Sequence, residues 1–217
     1  MGKKLAVISS TGGAGKTQLS VGLACVWSES GRNTTLVDVD PQDTTGASHW
    51  LDKLDEDNKS TANLTLVESS VKTISQNLTD IETTDIVLVD TPPKLSDSLI
   101  EGIAEKVDLV LVPGNIGGDL EAISQTASTI LSRTSTPVLA VLCKLEASQM
   151  PKAQDIATSL MEIGAGVAST RIRRYAAADE ARLYGDVPTQ LKGDRGAKHA
   201  NDLRGVAADI EQRLGGL

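Results

Sequence analysis

The sequence predicts a three-layer α/β/α fold, a mainly parallel twisted sheet flanked by helices, and three observations carry that expectation. Short apolar runs bounded by turn residues alternate with stretches of helical periodicity, the pattern of repeated βαβ units. The runs are built from Leu, Ile, Val and Ala without regular polar interruption, as strands covered on both faces must be. A glycine-rich turn joins the first run to the first helical stretch.

Strands are expected at Leu5–Ser9, Thr35–Val39, Leu64–Val67, Ile86–Asp90, Leu109–Val112, Val138–Cys143 and Gly166–Ala168. The first helix should follow Lys16 and run to about Ser30, with Leu19, Leu23, Val26 and Trp27 on its apolar face and Gly31 as its C-cap. Three further stripes, Val71/Ile74/Leu78/Ile81, Leu99/Ile100/Ile103/Val107 and Ile123/Ala127/Ile130/Leu131, have helical spacing. Pro151–Ile163 opens with proline where a helix tolerates it, and Asn201–Leu214 carries Leu203, Val206, Ile210 and Leu214 as a docked terminal helix. The charged stretch Asp52–Ser60 is expected to be a solvated loop.

A chain of 217 residues suits one well-packed domain, so a single unit over 1–217 without an N-terminal helix-turn-helix is expected. The net charge of −8 argues against a surface wholly given to nucleic acid, although a local basic patch remains open. Cys25 and Cys143 have neither CxxC spacing nor a His partner and are expected to be buried thiols of a reducing compartment. Apolar stretches are strand-sized and Met1–Lys4 shows no signal-peptide pattern, which points to the cytoplasm.

Right-handed crossovers between parallel strands place a ligand at the carboxyl edge of the sheet. There the first strand is followed by Ser10-Thr11-Gly12-Gly13-Ala14-Gly15-Lys16-Thr17-Gln18 and a helix. Glycines let successive amides turn inward, the helix N-terminus adds its positive end, Lys16 reaches the β and γ phosphates and the Thr17 hydroxyl suits Mg²⁺. Ser10 occupies the position of the first glycine in a standard phosphate loop. Asp38-Val39-Asp40-Pro41-Gln42 and Asp90-Thr91-Pro92-Pro93 each set a carboxylate at the end of a strand.

This three-part set resembles the ParA/MinD family of deviant Walker-box P-loop ATPases over nearly the whole chain. The resemblance implies ATP and Mg²⁺ as cofactors and a slow ATP hydrolase. It assigns phosphate binding to residues 11–18, Mg²⁺ to Thr17, Asp38 and Asp90, and catalysis to Lys16 and Asp38, which would position the attacking water. It also sets Asp186, Val187 and Pro188 near the adenine.

Family members begin the loop with a lysine that crosses to the partner subunit's ATP, and Thr11 stands there here. Two facing Mg-ATP units repel without a bridging cation, so another cation must substitute if the ATP-sandwich homodimer forms. The substitution resembles the carboxysome-distributing McdA branch, in which a lysine remote from the loop takes over. By that likeness Lys152 comes first, Lys144 second and Lys94 third.

Basic residues gather in the last third of the chain, and Arg171, Arg173, Arg174, Lys192, Arg195, Lys198 and Arg204 are expected to form a patch for nonspecific DNA on dimerisation. The resemblance further implies a nucleoid-associated dimer released by a ParB-like or McdB-like adaptor protein. A membrane anchor is disfavoured, because Asp202, Asp209 and Glu211 oppose the arginines of a terminal helix that lacks bulky aromatics. Plasmid or chromosome partition, and an ATP-coupled enzyme acting on a small molecule or protein, stay open as alternatives.

Overall fold

The computed structural model describes residues 2–40, 44, 46–54, 61–81, 84–116 and 120–216. Seven strands, β1 (Lys3–Val7), β2 (Thr34–Asp38), β3 (Leu64–Glu68), β4 (Ile86–Asp90), β5 (Leu109–Asn115), β6 (Val138–Cys143) and β7 (Gly166–Val167), form one sheet in the order β3-β2-β4-β1-β5-β6-β7. Every pairing in it is parallel. The helices are α1 (Lys16–Glu29), α2 (Ala47–Leu51), α3 (Ile74–Asp80), α4 (Asp97–Ala104), α5 (Leu120–Arg133), α6 (Met150–Glu162), α7 (Ala176–Tyr184) and α8 (Gly193–Arg213).

Successive strand residues point to opposite faces, and this alternation sorts the core into two halves. Leu5, Val7, Leu36, Leu88, Leu109, Leu139 and Val141 pack with Trp27, Trp50 and Leu203 from α1, α2 and α8. Ala6, Ile8, Val37, Val87, Val110 and Ala140 pack with Ile74, Ile103, Ile130 and Leu160 from α3 to α6. Both faces are therefore dry, which is why the strands read as continuous apolar runs.

Helix α1 departs from the single apolar stripe expected of it, because residues 19–28 are all buried. It lies between the sheet and α8, so both of its sides are covered. A Cβ at Gly22 would stand 2.7 Å from the Leu203 side chain, so the glycine permits the close approach of the two helices. Trp27 Nε1 donates to Glu211 Oε1 at 3.1 Å across the same contact. Leu203, Val206, Ala207 and Ile210 of α8 are all buried, so the terminal helix spends its apolar face on the core. No helix among the described residues is long and apolar enough to cross a membrane.

The strand expectations hold within two residues at most ends, and β5 runs on to Asn115. The terminal helix starts at Gly193 rather than Asn201, and α2 and α7 were not foreseen. Of the stretch expected as a solvated loop, Leu54 is buried in the core beside Trp50. Residues 55–60 lie outside the described part, as do Pro41 and Gln42.

Candidate functional site

The strand order places the end of β1 between β4 and β5, with β2 one strand away. The chain leaves β1 into the loop 9–15, whose turns need the left-handed conformation at Gly13 (φ 77) and Gly15 (φ 97). A Cβ at Gly15 would meet that of Cys143 at 3.6 Å, so the loop rests on the end of β6. Ser10, in place of a glycine, is tied to α5: its amide donates to Thr126 Oγ1 at 3.4 Å, and the two hydroxyls lie 3.2 Å apart. Thr126 is a support that no motif advertised.

Lys16 opens α1 and is 7% exposed. Its ammonium donates to the carbonyls of Thr11 at 3.0 Å and Ser9 at 3.5 Å. Burial pulls its pKa below the ordinary lysine value, against the attraction of Asp90. A buried cation held by its own loop's carbonyls, beside a glycine turn and a helix N-terminus, fits an anionic group such as a phosphate.

Asp38 and Asp90 end adjacent strands in the same register. Asp90 is buried and accepts from Ser20 Oγ at 3.0 Å. Burial, helped by the neighbouring Asp38 charge, pushes its carboxyl up to about 7, while hydrogen bonds from Thr17 and Ser20 and the charge of Lys16 pull the other way. Two buried carboxylates beside a hydroxyl are a donor set suited to a divalent cation. Asp38 is already engaged: Oδ1 accepts from the Asp40 amide at 3.0 Å and Oδ2 from the Ser48 amide at 2.8 Å. It thereby caps α2 from a neighbouring strand. Thr91 Oγ1 donates to the Val7 carbonyl at 2.7 Å and ties the Asp90 segment to β1.

These residues surround one cleft of about 370 Å³, lined by Gly12, Gly13, Gly15, Lys16, Thr17, Gln18, Asp38 and Asp90 among the expected positions. Thr11 and Ala14 are not among its lining residues. Trp50, Asp179 and Arg182, which sequence reasoning missed, line it too. They come from the two unforeseen helices.

Lys144 also lines the cleft, with Nζ 3.3 Å from Asp179 Oδ1. Lys152 is exposed on the first turn of α6 and Lys94 is exposed beyond Asp90, and neither lines the cleft. Asp186, Val187 and Pro188 do not line it either. Val187 and Pro188 are buried, and the Asp186 carbonyl accepts from Trp50 Nε1 at 3.1 Å, which ties the segment to a cleft residue.

The basic patch is largely paired with carboxylates. Arg173 grips Asp202 with Nε at 3.0 Å and Nη2 at 2.5 Å. Arg174 bridges Glu146 and Asp179, Lys198 meets Asp194, and Arg204 meets Glu29. Arg171 bonds neutral oxygens of Ser169 and Gln154, while Lys192 and Arg195 are exposed.

A parallel sheet with a glycine loop and buried lysine after its central strand, and paired carboxylates on the strands beside it, defines a P-loop nucleotide-binding protein. The chain belongs to the CobQ/CobB/MinD/ParA nucleotide binding domain family, whose model matches residues 5–211. It is 31% identical over 212 residues to the maintenance of carboxysome distribution protein A of Halothiobacillus neapolitanus, covering 95% of each chain. The protein of the same description from Gloeobacter kilaueensis is 25% identical over 209 residues, 96% of this chain and 94% of that one. Among solved structures, the MinD cell division protein of Aquifex aeolicus matches with a TM-score of 0.78 at 14% identity, covering 99% of this chain and 98% of that one. An ATP complex of a Cyanothece McdA variant matches with a TM-score of 0.72 at 15% identity, covering 100% and 97%. At these identities the structural likeness speaks for the fold.

Proposed function

We propose that this chain is a Mg-dependent ATP hydrolase that works as a nucleotide-switched positioning protein, distributing carboxysomes or a similar cargo. In this reading ATP selects a homodimer, the dimer holds nonspecific DNA of the nucleoid, and an adaptor of the ParB or McdB kind stimulates hydrolysis and release. The observation that carries the proposal is the cleft in which Lys16, Thr17, Asp38 and Asp90 converge on the glycine loop. The carboxysome-distribution relatives at 25% and 31% identity support the cargo.

The setting of each residue supports the role given to it here. Lys16 turns from the Ser9 and Thr11 carbonyls toward the phosphates, and its dry surroundings strengthen the attraction between them. Thr17, Asp38 and Asp90 would hold the metal, with Ser20 fixing the Asp90 carboxylate. A magnesium ion held there would offset the charge of the phosphates. Asp38 orients the attacking water, and because it also caps α2, a change at Asp38 is felt by the segment it holds.

Lys152, exposed on α6, takes the bridging role that Thr11 leaves vacant, with Lys144 and then Lys94 as substitutes. Asp186–Pro188 meet the adenine by way of Trp50. For DNA, Arg171, Lys192 and Arg195 make first contact, and the paired Arg173, Arg174, Lys198 and Arg204 contribute where phosphates displace their carboxylates.

Co-sedimentation with nonspecific DNA tests the proposal. Binding is expected with ATP and not with ADP, and it should weaken steeply with salt. DNA binding that ignores nucleotide, or none at all, contradicts it.

A further inference from the structure

Lys144 sits where the protein has arranged for a cation at some cost. It follows β6 directly, and Cys143 before it supports Gly15 of the phosphate loop. Its φ of 55 is one of two left-handed values among the described non-glycine residues. A bulky side chain in that conformation is disfavoured and persists only where neighbours fix the backbone. Here they do: Leu145 donates to the Ile172 carbonyl at 3.1 Å, and Arg174 donates to that of Leu145 at 2.9 Å.

The side chain that this turn presents lines the same cleft as Gly12, Gly13 and Lys16. Its ammonium is taken by Asp179 on the first turn of α7, at 3.3 Å. A carboxylate on the wall of a cleft built for a polyanion opposes the ligand unless a cation neutralises it. Asp179 has a second counter-ion, since Arg174 Nε lies 3.6 Å from its other oxygen. Lys144 can leave without stranding a charge.

We propose that Lys144 contacts the nucleotide phosphates of its own subunit, and that Asp179 is a positioning residue which holds it until they arrive. The proposal rests on the nucleotide reading given above and adds a residue and an exchange to it. Loading swaps the Lys144–Asp179 pair for a Lys144–phosphate contact, and Asp179 falls back on Arg174. Lys144 thus serves in its own cleft, a different task from the bridge assigned to the exposed Lys152.

A double-mutant cycle on the full chain tests the exchange, with Mg-ATP affinity measured by calorimetry and folding checked by circular dichroism. Asp179→Asn should tighten Mg-ATP about fivefold, Lys144→Met should weaken it about fivefold, and Asp179→Asn placed on Lys144→Met should change it by less than about twofold. Asp179→Ser provides a second removal of the charge and should behave alike. Equal tightening by Asp179→Asn in both backgrounds would reduce Asp179 to a distant repulsive charge and overturn the exchange. An unchanged affinity in Lys144→Met would overturn the contact. A wild type that takes up no Mg-ATP overturns the nucleotide reading itself, whereas normal wild-type uptake with either of the two other results overturns only this inference.

Discussion

Asp38 and Asp90 stand side by side at the ends of β2 and β4, both buried, one capping α2 and the other receiving the Ser20 hydroxyl. Burial, helped by the neighbouring Asp38 charge, pushes the Asp90 carboxyl up to about 7. In the native protein without nucleotide it therefore keeps a proton that the unfolded chain gives up near the ordinary aspartate value of 3.8. Its contribution to stability is full at or below the unfolded value and is lost as pH rises toward about 7. Denaturant midpoints of the nucleotide-free protein at several pH values should show this slope, and Asp90→Asn should remove it.

Asp38→Ala should keep Mg-ATP binding and ATP-dependent dimerisation while losing hydrolysis. It also removes the acceptor of the Ser48 amide, so the protein should be less stable by about 1 kcal/mol. Relief of the neighbouring charge should bring the Asp90 carboxyl down, which a shift of the pH slope to lower pH would report. Loss of nucleotide binding in Asp38→Ala would count against positioning the water as its main role.

Lys16→Met should separate function from stability. The ammonium is buried among carbonyls and its pKa is lowered by burial, so replacing it with an apolar chain of similar length should leave the nucleotide-free protein as stable or firmer by up to about 2 kcal/mol. Nucleotide binding should vanish. Marked destabilisation would mean that Lys16 is a structural lysine.

The paired and unpaired members of the basic patch should part company under substitution. Asp202 is 8% exposed on its side chain and receives two guanidinium bonds, so Arg173→Ala should destabilise the fold by about 1–3 kcal/mol. Lys192→Ala with Arg195→Ala should leave stability within about 0.5 kcal/mol and weaken ATP-dependent DNA binding. Thermal melts and co-sedimentation at fixed salt distinguish the two. Undiminished DNA binding in the double variant would move the contact elsewhere.

Much of this architecture is legible in the sequence because its strands are buried on both faces and its phosphate loop is local. β4 and β6 fall where the apolar runs fall, and the loop from Gly12 to Thr17 needs no distant partner to be recognised. α2 escaped because five residues carry too little periodicity, and its cap comes from Asp38 on another strand. α7 turns Ala178 and Ala181 inward, and such small side chains leave no stripe. The first turns of α8 contain Gly193 and Gly196, which read as breakers. Yet a Cβ at Gly196 would come within 2.0 Å of the Leu191 carbonyl oxygen, so the glycine is demanded by packing. With α2 and α7 hidden, Trp50, Asp179 and Arg182 were hidden as well. The pairing of Arg173 with Asp202 lies beyond composition, since only the fold brings residue 173 to residue 202.

The central claim is that the turn between β1 and α1 grips a triphosphate with Lys16 as its cation. Calorimetric titration of Mg-ATP into the wild type and into Lys16→Met tests it most directly. Saturable one-to-one binding per chain by the wild type and none by the variant is the expected result. Absence of heat with the wild type, or equal binding by both proteins, would contradict the claim.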